Sequence, residues 1–572
     1  MSTPTSAIAS TAAGLTSSLG LDPPEKTRTR DSPRFRTQPA AIWDRPALWP
    51  HRNSTDGVFS VAGGPGAAVV SLDSSIEIDT VSPEDEQNLA QSETMSNDTG
   101  TDDLPPDVAS ELAAIDTAAV VDDDQRYLIH PYQLFDTYLS DPVLPISRGQ
   151  GAELVDTDGN VYIDAVGGMW CTNIGLGRDE MADAVADQIR KLAYANPFVD
   201  MTNIPAVELS KKLVSLAPGS VNHVFFTTGG STAVDAAYRT IQLYQHARGK
   251  HDKHHVISRI DAYHGSTYAS VSIGGKPGDR PPDFDFIDDV IHHLSSPNHY
   301  RYGGDRTEQE FADDLVAEFE AMVADLGGAD HVAAFFAEPI MGSGGVILPP
   351  ADYLQRIWRY CKDNDIVFVS DEVVTGFGRL GGWFVSEKLF GIMPDMITSA
   401  KGLTSGYLPL GALLLSDEIF DVISDPGHGR YFAVGYTYSG HPVSCAAALK
   451  NIEILERENI LDHVKNVGPY FMEQLETLAD LPMVGDVRGS HLMACVEFVA
   501  DKATKEIHPE ELGIGKLVSN EADALGLIVR PIENLNVMSP PLIITRDEID
   551  TVVARLREAI LRTQAKLDHA ST

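Results

Sequence analysis

The chain has 572 residues, with 43 Lys and Arg against 83 Asp and Glu, a formal charge of −40. That length is material for roughly two to four domains, and 43% apolar residues can build a sizeable core. The acid excess excludes a nucleic-acid surface, which needs clustered cations to displace counterions from phosphates, and it disfavours docking on anionic membranes.

The acidity is spread unevenly. Residues 1–56 carry seven basic and five acidic side chains, so residues 57–572 carry −42; Lys is scarce, at 16 against 27 Arg. Spread acidity with few lysines fits a protein adapted to high salt, where self-repulsion is screened; an ordinary acidic protein is the alternative. Residues 1–60 are rich in Ser, Thr, Pro and Arg and residues 71–124 in Asp, Glu, Ser and Thr. Neither has an apolar period that could offset its ordering entropy, so a disordered extension is expected over 1–122, with one short helix at 106–119. Met95 opens an acidic stretch like the body of the chain and is an alternative native start. The first twenty residues lack a basic start and a firm apolar core, so no signal peptide is expected. Cys171, Cys361, Cys445 and Cys495 show no paired spacing and read as free thiols of a cytoplasmic protein.

Globular patterning begins near Tyr127. Residues 151–168 alternate apolar and polar around Asp158-Gly159-Asn160, a hairpin signal. VNHVFF (221–226) reads as a short buried strand, followed by a helix over 231–248. DHVAAFFAEPI (330–340), IVFVSDEV (366–373) and PLGALLLS (409–416) are apolar runs of strand length, and 351–364 places Leu354, Ile357, Trp358 and Cys361 on one helix face. Alternating strands and helices predict an α/β fold with a mainly parallel sheet covered on both faces, whose ligand lies beyond the carboxyl ends of the strands. HLMACVEFVA (491–500) and LIVRPI (527–532), then a helix from Thr545, predict a smaller α+β unit. The expected segments are 1–122, an N-terminal segment 123–185 packing with the small domain, a large domain 186–447 and a small domain 448–572.

Three features fall at strand ends. Thr227-Thr228-Gly229-Gly230-Ser231 runs from a strand into a helix, whose free N–H groups and dipole suit a phosphate, although such residues also simply cap helices. Asp371-Glu372 ends a buried strand, where a carboxylate needs a cation unless it faces water. Lys401 follows the strand-like DMITSA, or else is a solvated loop lysine. Together they supply what pyridoxal phosphate requires: an amine, a carboxylate for the ring nitrogen and a phosphate cradle.

The chain from about 127 to 572 resembles the class III (ω-type) aminotransferases of pyridoxal-phosphate fold type I. The similarity runs through GGMWCTNIGLG (167–177), FFTTGGSTAVDAAYR (225–239), DAYHGSTYAS (261–270), AEPIMGSGGV (337–346), SDEVVTGFGRLGGWF (370–384), SAKGLTSGYLPLGA (399–412), YTYSGHPVSCAAAL (436–449) and RPIENLNVMSPPLIIT (530–545). The resemblance implies that Lys401 carries the cofactor 5'-phosphate of pyridoxal as a Schiff base and shuttles the proton, and that Asp371 pairs with the pyridinium nitrogen. It implies that Gly230 and Ser231 hold the phosphate, that Tyr263 and Val373 flank the ring with His264 beside them, and that Thr437 reaches the partner's cofactor in a homodimer. Trp170, Glu338 and Arg530 would line the substrate pocket, Arg530 pairing a substrate carboxylate. The implied reaction is ping-pong transfer of an amino group from an ω-amino acid or amine to a keto acid, pyruvate being the expected acceptor; an aminomutase or decarboxylase of the same family is the alternative. The family's cradle has Glu and Asn where Thr232 and Val234 stand here, and Ser490-His491 also depart from its pattern.

Gly376-Phe377-Gly378-Arg379-Leu380-Gly381 matches a dinucleotide-binding motif but lacks the following strand with its acidic end, so a nicotinamide oxidoreductase is a distant alternative. The histidines of 250–255 and 290–300 lack metal-ligand spacing and are expected in surface loops, with no metal.

Overall fold

A computed structural model describes residues 105–570, apart from 140, 142 and 199; the first 104 residues of the extension expected over 1–122, and with them the alternative start at Met95, lie outside the described residues. Two helices, Pro106–Leu112 and Thr117–Tyr127, stand where one short helix was expected. The second begins after Asp116, whose carboxylate accepts from the Ala119 N–H, an N-cap that starts this helix.

The next three strands are β1 (Ile146–Gln150), β2 (Glu153–Asp156) and β3 (Val161–Asp164). β2 and β3 form the predicted hairpin, antiparallel through Val155↔Val161. Its turn is held by Asp156, whose Oδ1 accepts from the N–H groups of Asp158 and Asn160.

The seven strands that follow make one sheet: β4 (Val221–Thr227), β5 (His255–Arg259), β6 (Ile291–Leu294), β7 (Val332–Ala337), β8 (Val367–Asp371), β9 (Met396–Ser399) and β10 (Gly411–Ser416). Their order is β4-β10-β9-β8-β7-β5-β6. β10 runs antiparallel to β4 and β9; every other pairing is parallel. β7, β8, β9 and β10 are buried at every position. That is why they read as continuous apolar runs and not as alternation. The helix Tyr353–Asp363 buries Leu354, Ile357 and Cys361 of the stripe read from the sequence, and Trp358, its fourth member, is half-buried against the same core.

The C-terminal strands are β11 (Val484–Ser490), β12 (Met493–Phe498), β13 (Leu527–Ile528), β14 (Arg530–Ile532) and β15 (Leu535–Met538). LIVRPI was expected as one strand and is two. β13 pairs parallel with β3 in the sheet β1-β2-β3-β13, whereas β14 pairs with β15 in the sheet β11-β12-β15-β14. The chain changes sheets at Val529, and Arg530 opens the new strand. Among the described residues no helix is long and apolar enough to cross a membrane, and all four cysteines are free, three of them buried.

The histidines expected in loops are partly in strands: His255 lies in β5 and His292 and His293 in β6. His255 Nδ1 and His292 Nε2 are 3.0 Å apart across that pairing. Parallel pairing of adjacent strands brings them together, which local polarity could not reveal.

Candidate active site

The residues singled out from the sequence converge at the carboxyl ends of the parallel strands. β8 ends in Asp371, β9 runs into Lys401, β7 into Glu338, β5 into the turn of Tyr263 and His264, and β4 into Gly229-Gly230. Parallel strands put all these ends on one edge of the sheet, so residues far apart in sequence become neighbours.

Asp371 is 4% exposed. Its Oδ2 lies 2.7 Å from Nδ1 of buried His264, and its Oδ1 accepts from the Val373 N–H at 3.2 Å. The carboxylate is thus aimed by two neighbours. The adjacent Glu372 plays a different part: it is fully buried, and its carboxylate accepts from the N–H of Val385 and of Ser386 and from the Ser386 hydroxyl. Burial pushes the Glu372 carboxyl up from its ordinary value, opposed by those donors. Of the pair, Asp371 belongs to the site and Glu372 ties the turn after β8 to the helix Ser386–Phe390.

Glu338 is 5% exposed. Its two oxygens accept from the N–H of Tyr263 and of Gly342, each at 2.9 Å. Burial raises its pKa, with nearby Asp371 adding to the effect and His264 opposing it. Lys401 faces these carboxylates. Burial depresses its ammonium below the ordinary lysine range, against the pull of Asp371 and Glu338. Among the described residues its Nζ enters no ion pair; it lies 5.9 Å from the centre of the Trp170 ring. Lys401 also holds φ +42°, a left-handed conformation that costs a non-glycine residue on the order of 1–3 kcal/mol and persists only where the surroundings impose it.

The cradle opens at the helix Gly230–Ala247. Thr232, in the family's glutamate position, turns back: its hydroxyl accepts from the N–H groups of Thr228 and Gly229, each at 3.1 Å. It therefore caps the helix and leaves Gly230 and Ser231 as the forward donors. Ser231 Oγ accepts from the Ser266 N–H at 3.1 Å. A Cβ at Gly265, where φ is +131°, would sit 2.5 Å from that oxygen, and a Cβ at Gly230 would meet Val373 at 3.0 Å. Two glycines therefore keep this corner open. Gly265, Ser266 and Thr267 are residues of the cradle that sequence reasoning passed over, although they follow directly on Tyr263-His264.

Trp170 (φ +65°, 3% exposed) sits beside Lys401, and Gly342 makes room for its ring, since a Cβ there would come within 2.9 Å of it. Arg530 enters from β14, near enough to Lys401 for its charge to act on that amine. Thr437 stands apart on an exposed segment, where its carbonyl accepts from Tyr194 Oη at 2.8 Å and from Asn196. The preceding Tyr436 donates from its hydroxyl to the Thr232 carbonyl at 3.0 Å.

The glycine motif 376–381 is no nucleotide loop. Phe377 and Gly378 bond back to Trp383 and Gly382, and buried Arg379 donates to the carbonyls of Leu492 and Pro540 and to Asn173. This segment ties three parts of the chain together.

The sequence profile of the family Aminotransferase class-III matches residues 137–560. The chain is a class III aminotransferase. It is 40% identical over 426 residues to a putrescine–pyruvate aminotransferase of Pseudomonas aeruginosa, covering 73% of this chain and 91% of that protein. It is 38% identical to the mitochondrial gamma-aminobutyrate transaminase 1 of Oryza sativa subsp. indica, covering 74% and 82%. Among solved structures, an (S)-enantioselective ω-transaminase from Thermomicrobium roseum superposes with TM-score 0.76 at 36% identity, covering 79% of this chain and 99% of that one. The ω-transaminase of Pseudomonas jessenii in complex with PMP gives 0.75 at 35%, covering 78% and 98%. The aminotransferase thus has the fold of type I pyridoxal-phosphate enzymes, and its cofactor is pyridoxal phosphate. The residues present suit that group: a half-buried amine without an ion-pair partner among the described residues, an aimed carboxylate and a helix N-terminus kept open by glycines.

Proposed function

We propose that the aminotransferase moves the amino group of an ω-amino acid or diamine to pyruvate, with Lys401 and Asp371 at the reacting centre. The single observation that carries this is the unpaired amine of Lys401 beside two carboxylates locked by their own hydrogen bonds. Pyridoxal phosphate, when bound, supplies an aldehyde for the amine and a ring that accommodates the electron pair left when a proton departs. Lys401 would hold that group covalently through Nζ. With its pKa depressed, the freed amine is available to take the substrate proton and return it. Asp371, oriented by His264, would hold a proton on the ring nitrogen. Gly230 and Ser231 would bind the phosphate, and Val373 and Tyr263 would face the ring from opposite sides.

Trp170 and Glu338 would shape the pocket, and Arg530 would receive a substrate carboxylate as a bidentate pair. The names of the two relatives, a putrescine–pyruvate and a gamma-aminobutyrate enzyme, support the donor class. Exposed Thr437 supports a homodimer in which each protomer completes its partner's phosphate site. The segments 123–185 and 448–572 would form the small domain around 186–447, in keeping with the pairing of β13 with β3.

The test is a spectral titration of the holoenzyme in molar salt with ω-amino acids and diamines, followed by pyruvate. Conversion of the cofactor to its amine form by the donor, and its return by pyruvate, is the expected result. Release of carbon dioxide, or isomerisation of the donor without a keto acid, would overturn it.

A further inference from the structure

Asp279 is a sheltered carboxylate that accepts no hydrogen bond among the described residues. It closes the single turn Pro277–Asp279. Its side chain is 12% exposed, and the one cation within ion-pair distance among the described residues, Lys276, stands 3.8 Å away, beyond hydrogen-bonding distance. Lys276 is also shared, since its charge acts on Asp261 as well. Burial pushes the Asp279 carboxyl up from its ordinary value, against the pull of Lys276 and Arg530.

Backbone bonds place this turn beside the site. The Asp261 N–H donates to the Gly275 carbonyl at 3.3 Å, and the Lys276 N–H donates to the Ala262 carbonyl at 3.2 Å, so the turn is fastened to the residues that lead into Tyr263. A Cβ at Gly278 would lie 3.8 Å from Glu533 Oε1, and Glu533 directly follows β14, the strand that carries Arg530. The next residue, Arg280, pins the turn: its Nη1 donates to the Ser272 carbonyl at 3.1 Å, and its guanidinium lies 4.2 Å from the centre of the Phe286 ring. Asp279 is therefore held between the Tyr263 turn and the end of β14, near enough to Arg530 for each charge to act on the other. No ion pair joins the two among the described residues.

We propose that Asp279 receives the distal ammonium of a diamine donor, which makes diamines better donors than monoamines of the same length. An ammonium brings three N–H donors, and the carboxylate it meets has already lost most of its water, so a charge-assisted bond forms with little further desolvation of the protein. A monoamine ends in a methyl group and leaves that carboxylate as poorly partnered as before. This rests on the reading of the chain as an amine–pyruvate aminotransferase.

The experiment compares Asp279→Asn and Lys276→Gln holoenzymes with the parent, with putrescine and butylamine as donors and pyruvate as acceptor. In the parent, kcat/KM for putrescine is expected to exceed that for butylamine about tenfold or more. Asn keeps the shape and removes the charge, and the putrescine-to-butylamine ratio is expected to fall about tenfold, through KM more than kcat. Gln at 276 removes the competing ammonium, and the ratio is expected to rise about two- to fivefold. Shifts of opposite sign mark a charge contact, because damage to the fold would lower both donors together in either variant. A parent ratio near one, or ratios within twofold of the parent in both variants, would overturn the proposal while leaving transamination intact. A parent enzyme whose cofactor no amine converts would instead remove the functional reading beneath it, and the proposal with it.

Discussion

The floor of the site and its rim are built on different terms. On the floor, Asp371 and Glu338 are almost wholly buried, and each carboxylate is held by two hydrogen-bond partners. On the rim, Arg530 enters no ion pair among the described residues, its Nε has no hydrogen-bond partner, and Thr437 is exposed. Buried charge survives only when fully partnered, so the floor is committed to one arrangement. The rim keeps unspent bonding capacity and can accept what arrives. Substitutions on the floor should therefore act on kcat, those on the rim on KM and on substrate choice.

The largest effect is expected at Lys401. Lys401→Ala should lower kcat by at least about a thousandfold, since nucleophile and proton carrier are lost together; steady-state turnover with a saturating donor checks it. Asp371→Asn should cost on the order of a hundredfold, and His264→Gln, which only misdirects that carboxylate, about tenfold. Equal losses at the two positions would break the view that His264 acts through Asp371. Arg530→Met should raise KM for a carboxylate-bearing donor about tenfold or more while changing kcat far less, because the pair it removes forms on binding.

Two smaller effects concern stability. Lys401 has a depressed pKa in the folded protein, so its burial penalty is full below the folded value and fades as pH rises toward about 10.4. Cofactor-free Lys401→Met should melt higher than the parent at pH 7, with the gap narrowing as pH approaches 10. Asp523 is pushed up to about 6 by burial. Its carboxylate should cost nothing below about pH 4, begin to cost as pH rises, and cost fully above about pH 6. Asp523→Asn should raise Tm by a few degrees at pH 8 and not at pH 4, the smallest change in this series.

β7, β8, β9 and β10 were legible because burial on both faces leaves a continuous apolar run, and Asp371 and Lys401 were legible because they sit at the ends of such runs; β5 and β6 were not, because His255, His292 and His293 interrupt the apolar pattern. The hairpin at 151–168 announced itself through Asp158-Gly159-Asn160. LIVRPI was misread as a single strand because a chain that passes from one sheet to another keeps the same apolar composition throughout. The separate duties of Asp371 and Glu372 were equally hidden, for the two are adjacent and alike in chemistry.

Sequence alone determined that Gly229-Gly230, Asp371 and Lys401 follow strand-length apolar runs and so lie at the carboxyl edge of the sheet, since strand length follows from local patterning. Only the tertiary structure decided which of them touch: that His264 aims Asp371, that Thr232 turns back to cap its helix, and that Tyr436 bonds to the Thr232 carbonyl across 204 positions of chain. Local energies of a residue or two set the strands, whereas these contacts depend on packing between segments whose separation in sequence carries no record of their distance in space.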